Sequence, residues 1–407
     1  MLVYIIFMTV TYVDLLKLRE IAVKMLPSFR SGMALLSPPW IELLVMIQVY
    51  ILAGIYAVKE IIFEVINQGI KKRLENEVLK SNAINHAGSK CVFITGGDGT
   101  IGREVIKRFL GYGYTVHATI GDRRKAFELV TSLGGSKLPL TLYDVDLLTP
   151  YEVTRFARGF VNKCGGLSIV IMCAGIMLSG PEFIDNVESH MCVNVVSQAL
   201  LLHLLNPILL HDARILFLSS ATAKVSHYTS PIFRKDPLSY YVGRYQAYCF
   251  SKLVLSVYIE QLSKKKSQLL ATIHPGVIPG TLYRNTNKYV RYLTYIVLPY
   301  FLRKPAFGSL LIAHTAMRDD LISGSYYEDG SVKSLGEGLS EKEIFFLRTN
   351  KLSFKLFNYR LNPGPIWKIR TTQEHSYHDY EEDRLLPMLL FQKLDVIVET
   401  VLSLSEK

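Results

Sequence analysis

The chain has 407 residues, of which 49% are apolar and 20% charged. This composition excludes a disordered chain, and the length predicts one large domain with appendages, or two domains. The net charge of +11 suits an acidic surface, nucleic acid or an anionic cofactor. No nucleic-acid motif and no interleaved basic and aromatic patch accompany this charge, so we expect no nucleic-acid partner.

Five cysteines stand at positions 91, 164, 173, 192 and 249. Their number is odd and no two form a CxxC pair, so the sequence indicates neither a disulfide framework nor a zinc site. We therefore predict buried free thiols in a reducing compartment, and no metal.

The N-terminal part is apolar. Residues 1–13 are short for a membrane span and resemble a signal-like segment. The stronger candidate is 38–66, because 43–58 carries no charge and twenty helical residues match a hydrocarbon core about 30 Å thick. A buried core helix is the alternative, but Trp40, Tyr50 and Tyr56 are typical of membrane interfaces. We predict an apolar segment over 1–37, a transmembrane anchor over 38–66 and a basic linker over 67–88.

From about residue 89 short apolar runs alternate with segments of helical length. Candidate strands are 90–95, 115–120, 141–145, 167–173, 214–219 and 270–274. This alternation predicts an α/β fold, in which a doubly wound parallel sheet is covered on both faces. We place this domain at 89–335, followed by a C-terminal helical extension of unknown role at 336–407. Within the domain, the aromatic stretch 289–302 is interpreted as a substrate lid at a membrane interface or as a plain packed helix.

A glycine-rich loop follows the first predicted strand directly. Thr95 ends that strand, and the loop Gly96-Gly-Asp-Gly99-Thr100-Ile101-Gly102 leads into a helical pattern. Such glycines let the backbone approach a pyrophosphate, which the helix N-terminus then binds. We therefore predict a dinucleotide site.

The residues after the second and third strands should contact the adenosine half. Asp122 can bind the 2′-hydroxyl of NAD, whereas Arg123 and Arg124 can pair with the 2′-phosphate of NADP. Ordinary surface charges are the alternative, and two arginines against one aspartate favour NADP over NAD. Asp146 can accept a hydrogen bond from the adenine amino group.

Tyr248 and Lys252 are spaced to share one face of a helix. An ammonium group, together with an oxidised nicotinamide, lowers the pKa of a phenol, which then acts as a general base toward an alcohol or a general acid toward a carbonyl. Lys252 would also hold the nicotinamide ribose. A second YxxxK match at Tyr300 and Lys304 follows a proline in the aromatic stretch, and we interpret it as chance.

Two polar residues upstream complete the pattern. Ser220 follows a predicted strand and can hydrogen-bond the substrate oxygen. Asn194 lies in a helix-like run, where its amide can fix a water that relays a proton to Lys252.

In this order the motifs resemble the short-chain dehydrogenase/reductase superfamily. The resemblance rests on Thr95–Gly102, Asp146-Leu147, Cys173-Ala174-Gly175-Ile176, Asn194, Ser219-Ser220, Tyr248–Lys252 and His274-Pro275-Gly276-Val277. The separation of 28 residues between Ser220 and Tyr248 is similar to the retinol-dehydrogenase branch, which includes polyprenol dehydrogenases of the X-linked dehydrogenase/reductase type. The resemblance implies a Rossmann-type fold, a nicotinamide cofactor, the tetrad Asn194, Ser220, Tyr248 and Lys252, and cofactor contacts from Ala174, Gly175, Pro275 and Gly276. Subunit pairing is common in the family, so it also suggests a homo-oligomer.

Three positions depart from the family pattern. Thr100 replaces the middle glycine of the classical loop, and Met172-Cys173 stands in place of two asparagines. Gly280 replaces a threonine that meets the nicotinamide carboxamide, and the neighbouring Thr281 is a candidate substitute.

Together these features predict a membrane-associated NAD(P)-dependent oxidoreductase that interconverts a hydrophobic alcohol (lipid, retinoid, isoprenoid or sterol) and its carbonyl. We expect it at the endoplasmic reticulum or a lipid droplet, with the catalytic domain on the cytosolic side and membrane lipid as a partner. The alternative is a catalytically weak or inactive family member that acts as a membrane-bound scaffold or cofactor sensor.

Overall fold

The computed structural model describes residues 37–67, 69–84, 90–133, 138–184, 186–226, 241–286, 288–292, 295–296 and 298–333. The predicted N-terminal segment, apart from residue 37, and the C-terminal extension lie outside the described residues.

A central eight-stranded sheet organises the domain. The strands are β1 (Cys91–Thr95), β2 (Thr115–Ile120), β3 (Leu140–Asp144), β4 (Leu167–Met172), β7 (Leu209–Leu218), β8 (Leu269–His274), β9 (Tyr326–Glu328) and β10 (Ser331–Lys333). A separate small hairpin is formed by β5 (Phe183–Ile184) and β6 (Val187–Glu188). The order across the sheet is β10-β9-β8-β7-β4-β1-β2-β3.

All neighbouring strands from β3 to β9 pair in parallel, and only β10 is antiparallel to its neighbour. The predicted doubly wound sheet is confirmed, and the six predicted strands differ from the observed ones by a few residues at most. The β9–β10 hairpin was not predicted. Its turn places Asp329 and Gly330 at positive φ (51° and 75°), as two-residue hairpins with an Asp-Gly turn do.

Helices cover both faces of the sheet. They are α1 (Pro38–Ile66), α2 (Ile70–Ile84), α3 (Thr100–Gly111), α4 (Arg123–Ser132), α5 (Pro150–Val161), α6 (Ser189–Met191, π-helical Cys192–Val196 and Ser197–Leu205), α7 (Arg244–Ser263), α8 (Lys288–Tyr292) and α9 (Pro305–Met317). Helices α5, α6 and α7 pack on one face, and α2, α3 and α9 pack on the other. The apolar runs of the central strands are therefore buried from both sides, as a parallel sheet requires.

The segment predicted as a basic linker is largely helical. Helix α2 buries Leu74 and Val78 in the core, and Glu75 pairs with the Arg108 guanidinium and accepts a hydrogen bond from Tyr112 (2.7 Å). The basic residues that suggested a linker lie on the exposed part of this helix. Residues 70–84 thus belong to the packed domain.

Helix α1 has the length predicted for a membrane span, but one face of it packs along the domain. Near its start, Glu42 accepts hydrogen bonds from the backbone N–H of Tyr245 (2.9 Å) and Gln246 (3.2 Å) at the beginning of α7. Near its end, Glu64 pairs with Arg303 (3.3 Å). These contacts are 22 residues apart, or about 33 Å of helix, so α1 follows the domain over nearly its whole length.

A buried charged cluster lies beneath the second half of α1. The Glu328 carboxylate accepts hydrogen bonds from Tyr56 of α1 (3.0 Å) and from the Lys224 ammonium (2.9 Å). Lys59 of α1 pairs with Asp329 (2.7 Å). Although burial raises the pKa of Glu328, Lys224 and Lys59 hold it below its usual range.

A second group of contacts extends this cluster. Arg303 pairs with Asp329 (2.8 Å) and with Glu60 of α1 (3.5 Å). Glu60 also accepts a hydrogen bond from the backbone N–H of Val277 (3.0 Å). Hence the helix is tied to the domain by paired charges that are almost completely buried.

The opposite face of α1 is apolar and exposed. Its large exposed residues recur at helical spacing and are Trp40, Leu43, Ile47, Tyr50, Ile51, Val58, Ile61 and Val65. By length and hydropathy, two described helical segments could cross a membrane, Pro38–Ile66 and Ser189–Ile208, and the second is mostly buried in the domain.

We predict that Glu328→Gln lowers the free energy of unfolding by about 3–5 kcal/mol, because it leaves buried lysines without their carboxylate. Chemical unfolding followed by circular dichroism measures this change. Asp319→Asn is the control, since that exposed carboxylate lies 3.8 Å from Arg214 and should contribute less than about 1 kcal/mol. Equal effects of the two substitutions would show that the cluster does not stabilise the fold.

Candidate active site

A cavity of about 840 Å³ opens at the carboxyl ends of β1, β2, β4, β7 and β8. This edge is where doubly wound sheets bind their ligands, and the volume lies in the usual range for cofactor and substrate sites. All predicted site residues line the cavity except Thr95 and Asn194, which are buried behind its wall. The sheet topology thus brings together residues that are far apart in the sequence, such as Thr100 and Thr281, which are 181 positions apart.

The glycine loop connects β1 to α3. Gly96 has φ of +68°, a conformation that favours glycine. A Cβ on Gly102 would lie 2.1 Å from the carbonyl oxygen of Gly96, so the helix can approach the strand this closely only without a side chain. Gly99 precedes the first turn of α3, whose N–H groups and dipole favour an anion.

Two departures from the family pattern contact each other. Thr100 and Thr281 exchange hydrogen bonds, since the Thr281 N–H donates to Thr100 Oγ1 (3.0 Å) and the Thr100 N–H donates to Thr281 Oγ1 (3.3 Å). A Cβ on Gly280 would lie 2.3 Å from Thr100 Oγ1. The glycine at 280 therefore makes room for the threonine at 100, and Thr281 is held at the start of α3.

The carboxylate of Asp122 caps helix α4. Its Oδ1 accepts hydrogen bonds from the N–H groups of Arg124 (3.0 Å) and Lys125 (3.3 Å). The hydrogen bond from Lys125 is the main reason that the pKa of Asp122 is lowered. Arg123 pairs with Asp144, whereas no described residue pairs with the Arg124 guanidinium, which lines the cavity.

Asp146 stabilises the turn after β3. Its carboxylate accepts hydrogen bonds from the Leu148 N–H (2.9 Å) and the Thr149 hydroxyl (3.3 Å). It lines the same end of the cavity as Asp122 and Arg124.

The loop after β4 forms the opposite wall, and buried side chains hold it. The Ala174 N–H donates to Thr95 Oγ1 (3.0 Å), and Gln198 Nε2 donates to the Ala174 carbonyl (2.7 Å). Asn194 binds both the N–H (2.9 Å) and the carbonyl (3.1 Å) of Ile176. These bonds fix the loop although Met172 and Cys173 replace the usual asparagines.

Tyr248 and Lys252 project from one face of α7 into the cavity, as predicted from their spacing. Lys252 Nζ lies 6.0 Å from the centre of the Tyr248 ring and donates to the Leu218 carbonyl (2.7 Å). Ser220, just after β7, lies beside Tyr248 and lowers the pKa of its phenol, and it accepts a hydrogen bond from the Thr222 hydroxyl (2.9 Å). The Tyr248 phenol, the Ser220 hydroxyl and the Lys252 ammonium group therefore lie together in the cavity.

The pKa of Tyr248 differs from the expectation. Burial raises it above its ordinary value, and the hydrogen bond from Ser220 lowers it only in part. Burial also lowers the pKa of Lys252 to about 8. The phenol therefore carries its proton at neutral pH, which suits a general acid.

Asn194 also joins the loop after β4 to helix α7. Besides Ile176, its Nδ2 donates to Ser251 Oγ (2.9 Å), so the amide is fully engaged in protein contacts. A Cβ on Gly175 would lie 3.1 Å from Asn194 Oδ1 and 3.4 Å from Lys252 Nζ. Glycine at 175 therefore keeps open the space between these two groups.

Helix α1, which carries no site motif in the sequence, also forms part of the cavity. Val49, Tyr50, Leu52, Ala53 and Tyr56 line the cavity, and Tyr50 shares a hydrogen bond with Tyr245 (2.7 Å between hydroxyl oxygens). The apolar pattern of α1 carried no signal for this, because a membrane span has the same composition. Lys59, Glu60 and Glu64 interrupt the apolar run. These charges were the sequence signal that the helix packs against the domain.

The chain is similar to known proteins over this domain. Residues 90–233 match the short chain dehydrogenase family. Human retinol dehydrogenase 11 is 27% identical over 64% of this chain and 83% of its own length, and bovine retinol dehydrogenase 12 is 29% identical over 59% and 78%. A solved short-chain dehydrogenase/reductase from Serratia marcescens has 18% identity and a TM-score of 0.46 over 59% of this chain and 95% of its own.

The chain belongs to the short-chain dehydrogenase/reductase superfamily and is an NAD(P)-dependent oxidoreductase. Within that superfamily it is a member of the retinol-dehydrogenase-like branch. The cavity fits the cofactor, since the glycine loop presents a helix N-terminus between the Asp122–Arg124 end and the Tyr248 end.

We predict that Gly280→Thr alone weakens NADPH binding, because the new side chain collides with Thr100. Adding Thr100→Gly to that variant should restore part of the affinity, with a coupling of about 0.5–3 kcal/mol between the two positions. Fluorescence titration of the two single variants and the double variant measures this. Strictly additive losses would contradict a direct contact.

Proposed function

We propose that this protein interconverts a hydrophobic, membrane-partitioning alcohol and its carbonyl, with Tyr248 as acid and base and NADP as cofactor. The observation that carries the proposal is one cavity in which Ser220, Tyr248 and Lys252 meet a glycine loop beside an apolar, surface-exposed helix. The nicotinamide, when bound, supplies or accepts the hydride.

In carbonyl reduction, Tyr248 donates its proton to the substrate oxygen, and Ser220 hydrogen-bonds the same oxygen. Tyr248 carries the proton for this step at neutral pH, since burial raises the pKa of its phenol. In alcohol oxidation the phenol must first lose its proton, so that direction should be favoured by alkaline pH.

Lys252 supports Tyr248 electrostatically and takes part in proton resupply. Its pKa of about 8 leaves it mostly protonated at neutral pH. The space beside Gly175 suits a water that bridges Lys252 and the carbonyl or amide oxygens near Asn194. Asn194 is then a positioning residue for the loop at Ile176.

The contacts of the charged residues after β2 favour NADP over NAD. The Asp122 carboxylate already accepts two backbone hydrogen bonds, and Arg123 is paired with Asp144. Arg124 faces the cavity without a described partner, and a guanidinium is suited to a 2′-phosphate.

The substrate half of the cavity is apolar. Helix α1 contributes Val49, Leu52 and Ala53, and the opposite wall contributes Met177 and Leu178. Such a lining favours a lipid chain over a polar metabolite. The retinol dehydrogenases among the relatives are consistent with this substrate class.

A membrane-facing surface adjoins this cavity. It comprises two parts, the exposed apolar face of α1 and the exposed aromatic residues of 289–301. The most exposed aromatic side chains of the second part are Tyr289, Tyr292, Tyr300 and Phe301. The two parts meet at the cavity, which Tyr50 and Val290 both line. We place this surface in the interface of a bilayer, with Lys288, Arg291 and Lys304 beside lipid headgroups.

We propose that α1 lies in the membrane plane and does not cross the bilayer. A crossing would carry Glu42, Lys59, Glu60 and their domain partners into hydrocarbon, where exposed charged and irregular segments are not tolerated. An in-plane helix keeps those contacts and places its outer apolar face in lipid.

We predict that Tyr248→Phe lowers turnover by roughly 10²–10⁴-fold and leaves NADPH affinity nearly unchanged. In the wild type, reduction should be constant near neutral pH, and oxidation should increase as the pH rises. Ser220→Ala should move this increase to higher pH, because Ser220 lowers the pKa of Tyr248. A catalytically inactive scaffold would show no turnover to lose, and cofactor binding without turnover would favour that alternative.

We predict that Arg124→Leu weakens NADPH binding by about 10–100-fold, the value of one charge-assisted hydrogen bond. NADH binding should change little. Arg155→Leu is the control, since Arg155 is exposed and lies outside the cavity lining. Tighter binding of NADH than of NADPH by the wild type would instead assign the choice to Asp122.

We predict that Ile51 lies at shallow depth in a bilayer. The test uses Ile51→Trp in a chain whose own tryptophans are replaced by Phe, with lipids brominated near the headgroup or near the chain ends. Shallow bromines should quench more strongly for an in-plane helix, and deep bromines should do so for a spanning one. In vesicle flotation, Ile47→Glu should reduce binding, whereas the control Ile322→Glu, at an exposed residue away from this surface, should not.

A further inference from the structure

Three metal-binding side chains meet on the far side of the domain from the active site. Cys91, His117 and Cys164 each bring one ligand atom to a common point, and these atoms lie within 4.8 Å of one another. Their spacings of 26 and 47 residues form no short motif, which is why the sequence indicated no metal site.

The sheet register explains the convergence. Strands β1 and β2 pair in parallel with Phe93 opposite His117. Cys91 is two residues before Phe93, so Cys91 and His117 point to the same face of the sheet. Helix α5 packs on that face through Phe160, and Cys164 follows in the connection from α5 to β4.

The surroundings suit a compact, charge-neutral site. The rings of Phe160 and Tyr143 lie 5.1 Å and 6.0 Å from the His117 ring. The Tyr143 hydroxyl lies 3.0 Å from His117 Nδ1, so it can fix the ring orientation as second partners of metal-binding histidines do.

We propose that Cys91, His117 and Cys164 bind one thiophilic divalent ion, with Zn²⁺ as the ion best matched to two sulfurs and one imidazole. The two thiols lose their protons to solvent as the ion enters, so two thiolates balance its charge. Tetrahedral zinc with Zn–S of about 2.3 Å and Zn–N of about 2.0–2.1 Å requires ligand atoms somewhat less than 4 Å apart. The cluster needs to contract only slightly, and water completes the coordination.

The role of this site is structural. Cys91 begins β1, whereas the cofactor loop begins at the other end of that strand. The ion would join β1, β2 and the α5–β4 connection at the edge of the sheet opposite the cavity. It should therefore stabilise the domain without taking part in hydride transfer.

The test is titration of the metal-free full chain with Co²⁺, a spectroscopic substitute for Zn²⁺. We expect one ion per chain, with thiolate-to-cobalt charge-transfer absorption and the intense visible bands of tetrahedral Co²⁺, both removed by added Zn²⁺. Cys164→Ala should weaken Co²⁺ binding by at least 10-fold and remove most of the charge-transfer band, in keeping with about 10-fold or more for outer partners alone. Cys192→Ala, at another buried cysteine, should leave the spectrum unchanged.

NADPH binding serves as the folding check, because it should be retained in both variants. Absence of thiolate absorption in the wild type would overturn the proposal even if a variant fails to fold. Octahedral Co²⁺ without thiolate bands, or equal spectra in the wild type and Cys164→Ala, would also overturn it. None of these outcomes depends on turnover, so they are distinct from failure of the proposed enzyme activity.

Discussion

A buried cluster of paired charges joins α1 to the domain. Glu328 and Asp329, in and just after β9, meet Lys59 of α1 and Lys224 after β7. Removing one member would leave buried charges unpaired, at a cost of several kcal/mol. The cluster therefore determines the position of α1, and α1 in turn forms one wall of the cavity. A helix whose composition fits a membrane span is held against the enzyme by its polar residues.

This arrangement places the catalytic residues beside the surface from which we propose that the substrate enters. The polar end of the cavity carries the glycine loop and Arg124, and the middle carries Ser220, Tyr248 and Lys252. The apolar end is bounded by the inner face of α1, whose outer face is exposed and apolar. In the function that we propose, a lipid alcohol enters from the bilayer interface beside α1 and reaches Tyr248. The same burial that excludes water raises the pKa of Tyr248, so its phenol carries a proton at neutral pH.

Much of the fold could be predicted from the sequence, because parallel strands are continuous apolar runs and the Gly96–Gly102 loop has a distinctive order. The β9–β10 hairpin was missed although Asp329-Gly330 is a strong turn signal, since its strands have only three residues each. The sequence showed which residue types form the candidate site. It did not show what each of them contacts. Local spacing could not indicate that Thr100 lies against Gly280, or that Cys91, His117 and Cys164 converge. These contacts depend on long-range packing.

The most direct test of the central claim is hydride transfer inside a bilayer. The full chain would be placed in vesicles that contain lipid-soluble aldehydes and ketones, with NADPH deuterated at the transferred position. Mass spectrometry of the recovered lipids should show alcohols with one added deuterium for the wild type and almost none for Tyr248→Phe. Deuterium appearing equally with both proteins, or no labelled product although NADPH binds, would contradict the account.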